Sequence, residues 1–136
     1  MDDIETIRSI LTQTKTIAVV GLSPRPDRPS FRVAQYLQAH GYRIIPVNPA
    51  VTEVLGEKCY GSLRDIPEAV DVVDCFRGSE QILPIAQDAI AIGAKCLWLQ
   101  IGVINEDAAK LARDAGLYVV MNRCLKIEHA ALLASQ

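Results

Sequence analysis

Zinc knuckles and dithiol redox motifs are missing from this 136-residue chain: the four cysteines, Cys59, Cys75, Cys96 and Cys124, are widely separated and never form a Cys-x-x-Cys pair. No apolar run approaches about 20 residues, the length needed to cross a bilayer, and no signal peptide is spelled out. A cytoplasmic protein with no membrane partner is expected. An excess of positive charge is missing as well. The formal net charge of −2 argues against a nucleic-acid partner, because a protein that grips the phosphate backbone usually carries a basic domain or stripe. With no repeat, low-complexity tract or second composition, residues 1–136 read as one domain.

What is present is aliphatic. Half of the residues are apolar and only 5% are aromatic, the composition of a packed α/β protein. Residues 2–14 read as a packing helix with Asp2 and Asp3 at its start and Ile4, Ile7 and Leu11 on one face. A buried strand follows over 17–20, then a helix over 30–40 capped by Ser30, with Val33, Ala34 and Leu37 inward and Gly41 as its stop. A second strand covers 42–47, where Pro46 removes a ladder donor and implies an unpaired side. Residues 58–60 suit a short outer strand, and a capping box at Ser62 to Asp65 would open a brief helix over 66–69. The third main strand spans 71–75. After it, a helix starting at Ser79 or Glu80 sets Ile82, Ile85, Ala86, Ala89 and Ile90 on one face, with Pro84 delaying or kinking its first turn. A strand over 96–99 leads to a helix capped by Asn105, with Ala108, Leu111, Ala112 and Ala115 inward. The last strand covers 117–120, closing a core over 16–122, and a helical segment follows over 125–134.

Strands alternating with helices imply right-handed βαβ units. The fold expected is therefore a Rossmann-like, doubly wound parallel sheet with helices on both faces. Its main strands would run in the order 2-1-3-4-5, or 3-2-1-4-5-6 if 58–60 pairs at the edge. Either order places the switch point beside the first strand, so the loops after Val20 and Cys75 face each other across a crevice. Phe76 and Arg77 then join Gly21, Ser23, Arg25 and Arg28 around one cleft.

The loop from Gly21 to Pro29 lacks both marks of a dinucleotide site. There is no Gly-x-Gly-x-x-Gly, and the second strand ends in Asn48 instead of an acid for the ribose hydroxyls. Pro24, Pro26 and Pro29 stiffen the loop, so that less entropy is lost when it closes on a ligand. Between Gly21 and Asn48 four arginines (Arg25, Arg28, Arg32, Arg43) face one acid (Asp27), a local +3 that leaves −5 elsewhere. Planar guanidinium forks beside a helix start suit the phosphates of a small anionic ligand.

Several segments carry a resemblance in their order and spacing: Val20-Gly21-Leu22-Ser23-Pro24, Arg28-Pro29-Ser30, GYRIIPVNP over 41–49, EVLGE over 53–57, DVVDCFRGSE over 71–80 and GAKCLWLQIGV over 93–103. Together they resemble the bacterial CoA-binding protein family, small proteins similar to the N-terminal CoA-binding domain of the succinyl-CoA synthetase α-subunit. The resemblance runs over about residues 17–129. It implies coenzyme A, or an acyl-CoA, as the bound partner. Carried over, it puts Gly21, Leu22, Ser23, Arg25, Arg28 and Ser30 at the phosphates. Asn48, Pro49, Phe76 and Arg77 would border the adenosine, and Gln100 and Gly102 would meet the pantetheine arm. The histidine that serves catalysis in the ligase belongs to a further domain, and the ligase also needs a partner subunit; this chain has neither, so the family reading is noncatalytic or regulatory.

The residues themselves offer one nucleophile with a base near it in sequence, Cys124 with Glu128 and His129. Glu106 and Asp107 read as helix-start acids, Asp71 and Asp74 bracket a strand, and His40 complements a helix end. Trp98 reads as core whose indole N–H needs a partner. No metal site is spelled out. Two other readings stand beside the binding module: an enzyme acting on an acyl-CoA or another nucleotide-linked substrate, and a subunit docked on a ligase-like partner or on a second copy.

Overall fold

Five short, mostly apolar runs, four of them rich in Val and Ile, line up side by side in a computed structural model that describes residues 3–133. The strands are β1 (Thr16–Val20), β2 (Arg43–Val47), β5 (Val72–Cys75), β6 (Cys96–Leu99) and β7 (Tyr118–Met121). They pair in parallel in the order β2-β1-β5-β6-β7. Between β2 and β5 a two-residue hairpin, β3 (Glu53–Val54) with β4 (Glu57–Lys58), stands apart from the main sheet. The first of the two expected strand orders is the one observed. The outer strand expected over 58–60 shrinks to a single parallel bridge between Val47 and Tyr60. Pro46 explains the geometry there: its C=O points outward and accepts from the Tyr60 N–H at 3.0 Å, so the N–H it lacks would also have faced the edge.

Helices cover both faces, because the strands, apart from Asp74 on β5, bury apolar side chains on both sides. Ala18, Val20, Val73, Cys75, Leu97 and Leu99 point toward α3 (Ile82–Ala91) and α4 (Glu106–Asp114). Ile17, Val19, Val72, Cys96 and Trp98 point toward α1 (Ile4–Gln13), α2 (Pro29–Ala39) and α5 (Leu125–Leu132). This is the doubly wound Rossmann-like arrangement, and the crevice opens at the carboxyl ends of β1 and β5.

Local chemistry corrects several boundaries. The N-cap of α2 is Arg28, and Pro29 takes the first helical position, where its fixed φ suits the helix and its missing N–H costs nothing. The Ser30 hydroxyl is thereby freed from capping and accepts from the Ser23 N–H at 3.0 Å. Residues 66–69 are not helical. Ser62 caps one 3-10 turn, Leu63–Asp65, and Pro67 then holds Ile66 extended at ψ 123°. In α1, Ile10 joins Ile7 and Leu11 in the core while Ile4 is exposed, and Asp3 caps the helix through the Thr6 N–H. In α4, Ala109 takes the inward place expected of Leu111 and Ala115. A 3-10 turn, Ser79–Gln81, precedes α3, which leaves Pro84 in its first turn. The starts and ends expected at Asp2 and Ala134 lie outside the described residues.

Candidate functional site

The crevice is organised by one glycine. Gly21 has φ +86°, its N–H donates to the Val47 C=O at 2.8 Å, and a Cβ placed on it would come within 2.7 Å of the Phe76 carbonyl oxygen. Only a residue without a side chain lets the loop after β1 lie directly on the loop after β5. Arg25, Arg28 and the start of α2 are therefore held opposite Phe76 and Arg77.

Three cavities follow one another along this line. The middle one, about 360 Å³, is walled by Gly21, Ser23, Arg25, Arg28, Pro29, Ser30 and Asn48 on one side and by Phe76 and Arg77 on the other. On the β6 side it meets a cavity of about 460 Å³ lined by Val33, Gln100, Ile101, Val103, Cys124 and Ile127, with Pro29, Phe76 and Arg77 common to both. On the β2 side lies a cavity of about 260 Å³ with Pro49, Leu63, Gln81, Ile85 and Asp88 in its wall. Arg77 lines all three.

The unpaired charge sits in the middle. Arg25 is held by Asp27 at 3.3 Å, but the guanidinium groups of Arg28 and Arg77 have no hydrogen-bond or ion-pair partner among the described residues. The Ser30 and Phe31 amides at the start of α2 have no intrahelical acceptor, as in every helix. Two free cations and the positive end of an 11-residue helix converge on one cavity, which suits an anion with several oxygens. Phosphate oxygens of a nucleotide-type cofactor fit that donor set.

Each residue singled out from the sequence has a definite place. Gly21, Ser23, Arg25, Arg28, Ser30, Asn48, Phe76 and Arg77 meet around the middle cavity, Pro49 lines the β2-side cavity and Gln100 the β6-side one. The Leu22 side chain is fully buried in the α1-α2-α5 face, so only its backbone reaches the loop. Asn48 braces the site: Nδ2 donates to the Leu22 C=O at 3.1 Å and Oδ1 accepts from the Ala50 N–H at 3.0 Å. Gly102 lies between two wall residues, Ile101 and Val103, and its N–H donates to Asn122 Oδ1 at 2.7 Å. Gln100 is 6% exposed; its Oε1 accepts from the Leu125 N–H at 3.3 Å, and its Nε2 has no partner among the described residues. Sequence reasoning missed Leu63, Gln81 and Ile85. Gln81 and Ile85 sit at the start of the helix that follows β5, a position that would have flagged them.

The pairing of Cys124 with His129 does not form. His129 Nδ1 lies 2.9 Å from Tyr36 Oη, its ring stands edge-on to Tyr36, His40 and Tyr42, and Glu128 is paired with Arg123 at 3.5 Å. Burial, with the nearby His40, lowers the His129 pKa. No hydrogen bond links it to Cys124 among the described residues. Trp98 is core, and its indole N–H donates to the Arg123 C=O at 2.8 Å. Asp74 is fully buried on β5 with neither carboxylate oxygen hydrogen-bonded, and burial pushes its pKa well above the usual carboxylate range. Among the described residues no three His, Cys, Asp or Glu side chains are grouped to hold a metal ion, and no helix is long and apolar enough to cross a membrane.

A five-stranded parallel sheet with a cationic crevice at its switch point defines the class: a Rossmann-like fold. Residues 15–130 match the CoA binding domain family, and the chain belongs to that family. It is 44% identical over 124 residues to the Bacillus subtilis (strain 168) protein YneT, covering 91% of this chain and 92% of that one. A solved protein of Pyrococcus horikoshii OT3 superimposes with a TM-score of 0.95 at 47% identity, over 98% of this chain and 94% of its own. The dinucleotide-forming acetyl-coenzyme A synthetase 1 of Ca. Korarchaeum cryptofilum, solved with phosphate and ADP, matches at 28% identity and a TM-score of 0.74, over 90% of this chain but 28% of its own. The ADP-forming acetate-CoA ligase I of Archaeoglobus fulgidus is 36% identical over 121 residues, 82% of this chain and 18% of the ligase.

Proposed function

We propose that this protein binds coenzyme A, free or acylated, in the cytoplasm, as a noncatalytic or regulatory module made of one domain. The observation that carries the reading is Arg77, an unpaired guanidinium in the common wall of three successive cavities. Coenzyme A has three unlike parts in the same order. Its phosphates suit the middle cavity, against Arg25, Arg28, Arg77, Ser23, Ser30 and the amides beside Gly21 and Leu22. The adenosine suits the β2 side, bordered by Pro49, Phe76 and the loop that Asn48 braces. The pantetheine arm suits the largest cavity, where Gln100 Nε2 offers a donor and the turn at Gly102 shapes the mouth. Membership in the CoA binding domain family supports the choice of this nucleotide over others. The net charge of −2 and the localised basic loop favour a small anion over nucleic acid or a membrane surface.

Calorimetric titration with coenzyme A, dephospho-CoA and NAD tests it. Saturable heat with coenzyme A and much weaker heat with NAD are expected; no heat with coenzyme A at high micromolar concentration overturns the proposal. A second reading, a subunit of a ligase-like assembly, is favoured by the likeness to a segment of the ligases. An elution profile showing a lone monomer with no co-purifying protein would end it.

A further inference from the structure

The largest cavity ends at a thiol that the coenzyme A reading leaves without a role. Cys124 is the one cysteine among the described residues in the wall of any of the three cavities; Cys75 and Cys96 are sealed in the sheet, and the Cys59 thiol donates to the Asn48 C=O at 3.3 Å. Cys124 is also held in place from both sides. The Arg123 N–H donates to the Leu99 C=O at 3.3 Å and the Arg123 C=O accepts from the Trp98 indole at 2.8 Å. On the other side the Leu125 N–H donates to Gln100 Oε1 at 3.3 Å.

That last bond is the second observation. It fixes the orientation of the Gln100 amide, which is over nine-tenths buried, and leaves Nε2 as an unpartnered donor in the wall of the same cavity. An unpartnered donor beside the apolar side chains of Val33, Ile101, Val103 and Ile127 can take an acceptor from a ligand. An amide carbonyl of a pantetheine-like arm supplies one, and the arm it belongs to ends in sulfur. Pro29, Phe76 and Arg77, which this cavity has in common with the cationic middle cavity, make the path from phosphates to sulfur continuous.

We propose that Cys124 is a thiol-disulfide exchange site for coenzyme A: it accepts the CoA sulfur from a small CoA-containing disulfide and carries it as a mixed disulfide in the cleft. The inference rests on the coenzyme A reading and goes beyond it. The Cys124 thiolate attacks the CoA sulfur of the disulfide, an S–S bond forms between Cys124 and CoA, and the former S–S bond breaks. The departing partner leaves as a thiolate and takes up a proton equivalent to the one Cys124 gave to solvent. One disulfide is consumed and one is formed, so no other oxidant enters. A dithiol reductant breaks the mixed disulfide, is itself oxidised to a disulfide, and returns the Cys124 thiol and free coenzyme A.

Incubating the reduced protein with CoA disulfide, and separately with glutathione disulfide, then measuring intact mass and mapping the modified peptide, tests this. One CoA adduct per chain is expected, on the peptide containing Cys124, forming at least about tenfold faster than the glutathione adduct because the nucleotide end raises the local concentration of the sulfur. Dithiothreitol should remove the adduct. In Cys124→Ser the adduct should disappear while calorimetric binding of coenzyme A persists. Peptide mapping on the unmutated chain decides the matter even if that variant folds poorly. Binding of coenzyme A with no adduct, or with an adduct on another cysteine, overturns the exchange site and spares the binding reading. No calorimetric binding together with equal rates from the two disulfides overturns both.

Discussion

The amino-terminal and carboxyl-terminal edges of the sheet treat charge in opposite ways. At the amino ends, two cations are neutralised: Arg43 at the start of β2 meets Glu68 at 2.6 Å and Glu57 at 3.0 Å, and Lys95 before β6 lies 3.5 Å from Asp71. Asp71 also accepts from the Lys15 and Thr16 N–H groups at 2.9 and 3.0 Å, tying the approach to β1 to the start of β5. At the carboxyl ends, Arg28 and Arg77 are left unpaired around a concavity, and a glycine gives up side-chain packing so that two loops can touch. Charge that is satisfied internally contributes to stability; charge left open is available to a ligand. The same backbone therefore separates the two tasks by about the length of a strand.

The contrast breaks if the open arginines turn out to be structural. Arg77→Ala should weaken coenzyme A binding by about 3 kcal/mol, the upper end for losing a charge-assisted hydrogen bond, and Arg28→Ala by about 1–3 kcal/mol. Both should leave thermal stability within about 0.5 kcal/mol of the parent, as for ordinary surface substitutions. A large loss of stability with unchanged titration heat would reverse the assignment of tasks.

Asp71 is the converse case. Burial raises its pKa, but the two backbone donors and Lys95 outweigh that and hold it below the usual carboxylate value. A carboxyl whose folded pKa is depressed adds stability that is present above its unfolded pKa, about 3.9, and is lost as pH falls through the folded value. Asp71→Ala should therefore cost about 2 kcal/mol at pH 7, from two unsatisfied amides and a lost ion pair. The difference from the parent should shrink as denaturation is measured at progressively lower pH below about 4, and coenzyme A binding should not change. An effect that grows toward acid pH would exclude Asp71 as the tie.

Much of this was legible in the chain because it rests on local chemistry. The runs at 17–20 and 96–99 are apolar on both faces, and 71–75 is so apart from Asp71 and Asp74, which suits a sheet covered twice; the alternation with helices narrowed the strand order to two. The missing second glycine and ribose acid, with the stiff arginine loop, pointed to the end of the sheet where the three cavities lie. Features decided by tertiary contact were not legible. Ser30 looks like a cap by residue type, yet the competing Pro29 took the helix start and left the hydroxyl to the loop. Leu111 fits the helical period, but α4 meets α3 through its alanines. Asn48 lines the cleft, and the sequence did not show that its amide would also brace the Leu22 and Ala50 backbone. Nothing in the sequence said that Asp74 would be buried without a partner or that Cys124 would face the cleft while Gln100 kept a donor free.

The smallest expected effect tests the amino-terminal edge from its exposed side. Arg43 makes two ion pairs with short distances, and its guanidinium pKa is raised by the hydrogen bonds it donates to Glu68 and then Glu57. Its side chain is nonetheless 46% exposed, and the Glu68 side chain is 37% exposed, so water and salt screen the attraction. Arg43→Ala should cost no more than about 1 kcal/mol, and less in 1 M salt. Chemical denaturation with urea at two salt concentrations measures it. A larger, salt-independent loss would mean that Arg43, like Asp71, is a structural tie between β2 and the segment leading to β5; a small one leaves Asp71 as the group that fixes the amino-terminal edge.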